Sequence, residues 1–503
     1  MLILFFLSSG LFLGWSLGAN DAANVFGSAV GSRMIRFGRA ALICSVFAVL
    51  GAVVGGAGTT HTLGKLGAVD ALGGSFAAAL AAALTVTVMT RLSLPVSTSQ
   101  AIVGAILGWN LFTGSLTDTH ALTRIVGTWL LCPLLAAVTA VICERVFRFT
   151  FRRLKLHLLW EDMITRAALV VVGAFGAYSL GANNIANVMG VFVPVAPFDS
   201  LNVAGLVTIS GTQQLFLLGG LAIALGVFTY SRKVMATVGT SLLRLTPQMA
   251  LVVVLAQSLV LFMFSSQSLE AWLKGHGLPA LPLVPVSSSQ AVIGAVLGLG
   301  LLRGGRGIRF RVLGEIALGW VTTPVLAAGV AFVTLFFLQN TFGVTVARDL
   351  SYVLDAPVRS HLVAQGLTDE ELSGLSDGSW STERALNAAL RDRTDLDAAA
   401  RRRVVAAAAR DRWVLAPREL ARELGSGLYG PEQAEALRSL AGREYRHDWE
   451  LLEALAAAAP AWDPHVERDA GERLALERRR RAAVHAFRSA EPPARTPRRP
   501  GGA

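Results

Sequence analysis

Three stretches of this chain occur twice, in the same order, each in or beside a run of apolar residues. GANDAAN at Gly18–Asn24 returns as GANNIAN at Gly181–Asn187. PVSTSQAIVGAILG at Pro95–Gly108 returns as PVSSSQAVIGAVLG at Pro285–Gly298, and GTWLLCP at Gly127–Pro133 resembles GWVTTP at Gly319–Pro324. Ordered self-similarity of this kind marks two copies of one structural unit. Apolar segments fall near 2–30, 40–57, 74–92, 95–112, 121–143, 164–191, 203–230, 247–265, 283–302 and 312–340. Several reach the length needed to cross a bilayer. Each half holds five, and an odd number turns the second copy over relative to the first. The expected fold is an all-α polytopic membrane protein of two inverted-topology repeats with discontinuous or re-entrant helices. The stretch from Pro95 to Asn110 is expected to be a half-helix, since ~24 Å of helix falls short of the hydrocarbon core.

Charge divides the chain. The whole net charge of +11 lies before residue 341; beyond it 25 acids balance 25 arginines, with no lysine. In the apolar part the bases cluster as Arg33, Arg36 and Arg39; Arg145 to Lys155; Arg232 and Lys233; and Arg303 to Arg311. These fall in alternate connections, so one side receives them all, and the positive-inside rule makes that side cytoplasmic. Both termini are then expected outside, although the rule does not govern long domains and leaves the side of the Arg-rich C-terminal region open. The expected division is 1–143 for the first repeat, 144–163 for a basic connecting loop and 164–344 for the second repeat. A helical soluble domain over 345–488 and a disordered tail over 489–503 follow. The bases flank hydrophobic spans without a basic face or interleaved aromatics, which argues against nucleic-acid binding. The N-terminal run lacks a basic start and leads straight into a motif, so it is read as a retained helix. The protein is expected to be integral to the cell membrane, with the lipid bilayer as its solvent.

The polar residues inside the apolar runs carry the chemistry. A charged aspartate at membrane depth costs about 2.5–3.5 kcal/mol even on insertion scales. Asp21 is therefore expected to meet a cation or a proton. Asn20, Asn24, Asn183, Asn184 and Asn187 add amide oxygens, and Gly18 and Gly181 permit helix breaks that free carbonyls; these are hard oxygen ligands suited to Na⁺. Possible Na⁺ ligands are Asp21, Asn24, Asn184 and Asn187. The second motif suits the opposite charge. Pro95 and Pro285 are placed to start helices. Ser97, Thr98, Ser99 and Gln100, with Ser287, Ser288, Ser289 and Gln290, occupy first turns, where unpaired N–H groups and the helix dipole hold anions. No nucleophile triad, P-loop or metalloprotease motif is present, so an enzyme and a bound cofactor are not expected. Cys44, Cys132 and Cys143 have no metal spacing. Glu315 reads as an interfacial acid beside the Arg303–Arg311 cluster, and His61 and His120 as loop residues.

These motifs, over residues of about 1–340, resemble those of the inorganic phosphate transporter (PiT) family. The resemblance implies cation-coupled symport of inorganic phosphate, with Na⁺ or H⁺ as coupling ion and the substrate at the interface of inverted repeats. Asp21, Asn24, Asn184 and Asn187 become cation- and substrate-site residues, and Ser97–Gln100 with Ser287–Gln290 a phosphate cradle. A homodimer is a reasonable expectation from the same resemblance. Two positions depart from the family pattern: Asn184 stands where many members have Asp, and Ala48 where many have Glu. The helix ALVVVLAQSL in the second half supplies no replacement acid. A site poorer in carboxylates points to a changed coupling stoichiometry, H⁺ coupling or another tetrahedral oxyanion such as sulfate. A phosphate sensor without net transport is the reading from a different class.

Overall fold

The computed structural model describes residues 2–489 except 68, 92–95, 155–156, 196–197, 199–200, 204–206, 239–245, 306–307, 374, 376–377, 426, 467 and 469. The described residues form two units: residues 1–112 with 117–347, and residues 113–116 with those from 348 onward.

The first unit contains α1 (Leu2–Gly31), α2 (Phe37–Gly55), α3 (Ala57–Leu66), α4 (Leu72–Arg91), α5 (Thr98–Thr113), α6 (Thr119–Leu154), α7 (Leu158–Met189), α8 (Gly211–Thr229), α9 (Ser231–Val238), α10 (Pro247–Ser265), α11 (Gln267–Gly275), α12 (Ser288–Leu302) and α13 (Phe310–Asn340). Two strands, β1 (Leu201–Val203) and β2 (Val207–Ile209), form an antiparallel hairpin before α8. Eight of these helices are long and apolar enough to cross a membrane: α1, α2, α4, α6, α7, α8, α10 and α13. The ten apolar segments are these eight plus the shorter α5 and α12. The short helices α3, α9 and α11 had no separate signal, and segment 203–230 splits between the hairpin and α8.

The basic stretch 144–163, expected as a loop, is helical for most of its length, with α6 continuing to Leu154 and α7 beginning at Leu158. Amphipathic basic ends extend these helices beyond apolar length. The helix breaks expected at Gly18 and Gly181 are also absent; α1 and α7 run unbroken through both motifs. These glycines serve close approach instead. A methyl at Gly18 would strike the Ile223 carbonyl on α8, and one at Gly181 the Ala48 carbonyl on α2. Their counterparts repeat the contact in reverse, Gly226 meeting the Trp15 carbonyl and Gly51 that of Tyr178.

The same exchange recurs at the half-helices. Gly104 of α5 lies on Pro324 of α13, and Gly294 of α12 on Pro133 of α6. Each half therefore packs its glycines on the other half, and α1 pairs with α8 as α7 pairs with α2. The equivalent of α2 in the second half is therefore α8, so ALVVVLAQSL in α10 is not the counterpart of the Ala48 helix; α8 carries no acid either. Helices α1 and α7 run in opposite directions: Gly10 lies against Met189 and Phe192, while Arg166 Nη1 donates to the Met34 carbonyl at 3.3 Å. Leu130, Leu134 and Ile142 of α6, with Leu318, Val321 and Val325 of α13, are exposed. In a membrane such faces meet lipid tails, at no hydrophobic cost.

The second unit is a tandem duplication. Its first copy is β3 (Ser351–Val353), α14 (Ala356–Ala364), α15 (Asp369–Ser373), β4 (Ser379–Trp380), α16 (Glu383–Arg393), α17 (Ala398–Ala408) and β5 (Ala409–Arg410). The second is β6 (Trp413–Val414), α18 (Pro417–Gly425), α19 (Pro431–Ser439), β7 (Glu444–Tyr445), α20 (Asp448–Ala458) and α21 (Ala470–Ala486). Tyr352 pairs with Trp380 and Ala409 across antiparallel strands, and Trp413 pairs with Tyr445 and Arg488 in the same way. Each copy has its own core, around Leu362, Leu386 and Val404 in one and Leu437, Leu451 and Trp462 in the other. Asp411, 2% exposed, joins the copies by ion pairs to Arg348 at 3.3 Å and Arg488 at 2.6 Å. The expected helical domain thus also carries short strands. The tail expected to be disordered lies, from residue 490, outside the described residues.

Candidate functional site

The two motif helices and the two half-helices bring their polar residues into one network. Asp21 is 2% exposed, and Asn183, Asn184 and Asn187 are equally buried; Asn20 and Asn24 are half-buried. The Ser288 hydroxyl donates to Asp21 Oδ2 at 2.6 Å, Asn20 Nδ2 to Oδ1 at 3.1 Å and Asn184 Nδ2 to Oδ2 at 3.5 Å. A buried carboxylate so surrounded has its charge spread over donors from both halves.

The halves are cross-linked in matching fashion. Asn24 Nδ2 of the first motif donates to Ser288 Oγ at 3.3 Å, and Asn187 Nδ2 of the second to Ser99 Oγ at 2.8 Å. The Ser99 hydroxyl donates to the Val286 carbonyl at 3.2 Å, and that of Ser289 to the Val96 carbonyl at 3.1 Å. Asn183 grips the same segment at both atoms, accepting from Val286 N at 3.0 Å and donating to Val286 O at 2.7 Å. Asn184 Oδ1 accepts from Asn183 and Asn187 at 3.0 and 3.1 Å.

Ser97 and Ser287 cap their half-helices, accepting from the backbone N–H of Gln100 at 3.3 Å and of Gln290 at 3.2 Å. The Ser287 backbone is extended (φ −82°, ψ 116°), so α12 begins at Ser288 and Pro285 stands two residues before the cap, not in the first turn. Pro95 lies outside the described residues. A cap occupies one of the orphan N–H groups, so the hydroxyls of Ser97 and Ser287 organise the helix start. The N–H groups of Thr98, Ser99, Ser288 and Ser289 keep no intrahelical acceptor. Such a start, buried and dipole-positive, can hold an anion.

Opposite capacity sits beside it. Buried Gln100 Oε1, Gln290 Oε1, Asn187 Oδ1, Gln257 Oε1 and Thr98 Oγ1 have no hydrogen-bond partner among the described residues. Amide oxygens left unpaired in a dry interior are costly unless a cation or water completes them. With the Asp21 carboxylate they are hard oxygen donors of the kind alkali cations take. No cluster of three His, Cys, Asp or Glu fit for a metal ion occurs among the described residues. Gln100 and Gln290, expected in the phosphate cradle, each present a buried amide oxygen, an acceptor, without a partner among the described residues.

Two residues escaped the sequence reading. Gln257 of α10, fully buried, donates from Nε2 to the Asn24 carbonyl at 2.7 Å. Thr59 of α3 donates to the Asn183 carbonyl at 3.4 Å. A lone amide in ALVVVLAQSLVLF was the available signal for the first; nothing in AGTTHTLG singled out Thr59. Ala48, where an acid was noted as missing, is wholly buried, with its backbone carbonyl against Gly181. Glu315 pairs with Arg311 at 3.2 Å, an exposed one-turn helix pair far from this network in character.

Residues 17–331 and 281–367 match the phosphate transporter family. A protein of Pyrococcus horikoshii named as a phosphate permease is 28% identical over 67% of this chain and 98% of its own. One from Methanocaldococcus jannaschii with the same kind of name is 25% identical over 63% of this chain and 91% of its own. A solved structure titled "The sodium-dependent phosphate transporter" shares the fold, with TM-score 0.53 and 24% identity, covering 67% of this chain and 99% of its own.

Proposed function

The chain belongs to the phosphate transporter family, a family of membrane permeases and not of enzymes, and we propose that it carries inorganic phosphate across the cell membrane in symport with a cation, Na⁺ or H⁺. One observation supports this reading above the others. Anion-type donors, the free N–H groups at the starts of α5 and α12, and cation-type acceptors, Asp21 and the unpaired amide oxygens, share a single buried network. Neither partner alone balances such a site. An anion without a cation meets the Asp21 charge, and a cation without an anion meets two positive helix ends.

Coupling follows from that balance. Occupancy by both ions leaves the site closer to neutral than the anion alone would, and a site of lower charge passes more cheaply between the two faces of a membrane. The bonds Ser99 to Val286 O and Ser289 to Val96 O hold the half-helices to each other. They are the contacts that rocking of one repeat against the other would exchange. With Asn184 and Ala48 in place of acids, fewer cations per phosphate are expected than in members carrying both carboxylates.

The test is uptake of labelled phosphate and sulfate into proteoliposomes under imposed Na⁺ or H⁺ gradients. Gradient-dependent phosphate accumulation that Asp21→Asn reduces at least a hundredfold is the expected result. Preference for sulfate would change the substrate within the same mechanism. Tight binding with no accumulation of either would replace the transporter reading by a sensor.

A further inference from the structure

We infer that the C-terminal tandem-repeat unit is extracytoplasmic and that it grips the α5–α6 connection there. Covalent connectivity carries the first part. The chain passes between the units only at 112/113, 116/117 and 347/348. Inside the membrane unit these three points share one end. Trp109 Nε1 donates to the Val346 carbonyl at 2.9 Å, and Asn110 Nδ2 to Thr117 Oγ1 at 2.9 Å. Ser75 at the start of α4 donates to the Val191 carbonyl, just past α7, at 2.7 Å.

The basic clusters gather at the opposite end. Arg166 in the first turns of α7 bonds the α1–α2 connection at Met34, and Glu161 of the same helix bonds Gln248 at the start of α10. Arg303 after α12 lies 3.7 Å from Glu144 near the end of α6. By chain position only Lys65, Arg124 and Lys274 among the bases before residue 341 fall away from that basic end. So strong an asymmetry in short connections places the basic end in the cytoplasm. The C-terminal unit, whatever its orientation, hangs from the other end.

The grip is built inside the C-terminal unit. Residues 113–116 lie at the start of α16: Arg384 N donates to the Gly114 carbonyl at 3.1 Å, and Leu116 N to Glu383 Oε2 at 2.6 Å. Leu116 packs on the first apolar core, and at Gly114, with φ +75°, an added methyl would meet the Thr382 side chain at 3.1 Å. Unpaired N–H groups are usual at a helix start; here the first-turn carboxylate instead reaches out to an amide of another segment. The matching connection of the second half, between α12 and α13, lies at the basic end. One half-helix alone, the one that carries Ser97–Gln100, therefore runs at its far end directly into a segment of the C-terminal unit.

Two measurements on the full chain decide this, and neither depends on which ion is carried. Cysteines placed at exposed Glu432 and Arg36 are probed with a membrane-impermeant maleimide in intact and permeabilised cells, with the native cysteines as background. Labelling of Glu432→Cys in intact cells, and of Arg36→Cys only after permeabilisation, is expected. The reverse pattern, or both sites behaving alike, overturns the inference. Hydrogen exchange of the 113–118 peptide is then compared between the natural chain and Glu383→Ala, with Glu383→Gln as the milder variant. Exchange about tenfold faster in Glu383→Ala, and intermediate in Glu383→Gln, is expected for a gripped loop. Equal rates in all three overturn the grip.

Discussion

Asp21 owes its tolerated place in an apolar helix to donors that come from three different segments, Asn20 beside it, Asn184 from the second motif and Ser288 from the second half-helix. The pairing is lopsided. The hydroxyl of Thr98, equivalent to Ser288 in the other half, has no partner among the described residues. Restoring a carboxylate by Asn184→Asp should add a cation to the transport cycle, read as a steeper dependence of phosphate uptake on Na⁺ or H⁺ concentration. An unchanged slope would mean that Asn184 lies outside the coupling site. The motif glycines give a second test at this scale. Gly18→Ala forces a methyl into the Ile223 carbonyl and should cost about 1–3 kcal/mol, the usual range for overpacking. Gly127→Ala, with nothing within 4 Å of the added carbon, serves as the neutral control. Thermal unfolding in detergent distinguishes them.

At the scale of elements, the half-helices work through their caps. Ser97→Ala and Ser287→Ala each remove a bond to the backbone, worth ~1 kcal/mol. Each should raise KM for phosphate about fivefold while leaving the cation dependence unchanged. A shift in cation dependence instead would assign these serines to the cation. The half-helices were legible in the sequence because a proline, a serine run and a glycine ladder recur at matched spacing. The motif helices were misread at Gly18 and Gly181, because glycine in a helix signals equally a break and a close approach, and only the neighbouring helix decides. The length of α6 was also hidden. Composition marks where apolar character stops, whereas helical backbone needs only propensity and continues through Arg145, Arg148 and Arg153. Gln257 could not be placed from sequence, since its role depends on α10 passing beside Asn24.

The whole molecule records duplication twice, once in the membrane unit and once beyond it. The first was readable because the motifs retain their polar residues. The second was not: YVLDAPVRSHLVAQGL and WVLAPRELARELGSGL share little beyond the strand, the apolar positions and the closing glycine. A packed apolar core requires hydrophobicity and tolerates wide exchange among residues. The seam between the copies is Asp411. Asp411→Ala leaves Arg348 and Arg488 without their shared carboxylate and should destabilise the C-terminal unit by roughly 3 kcal/mol. Limited proteolysis of the full chain should then cut after residue 348 while the membrane unit survives; a protease pattern like that of the natural chain would show the pairs to be incidental.

The glycine contacts between halves have one more consequence. Where Gly18 lies on Ile223 and Gly51 on Tyr178, and again where Gly104 lies on Pro324 and Gly294 on Pro133, backbone touches backbone with not even a methyl between. Seams this close leave no room for a file of water molecules between the backbones at those contacts. If the chain couples phosphate to a cation gradient, as proposed, these contacts are where the fold would insulate against leak.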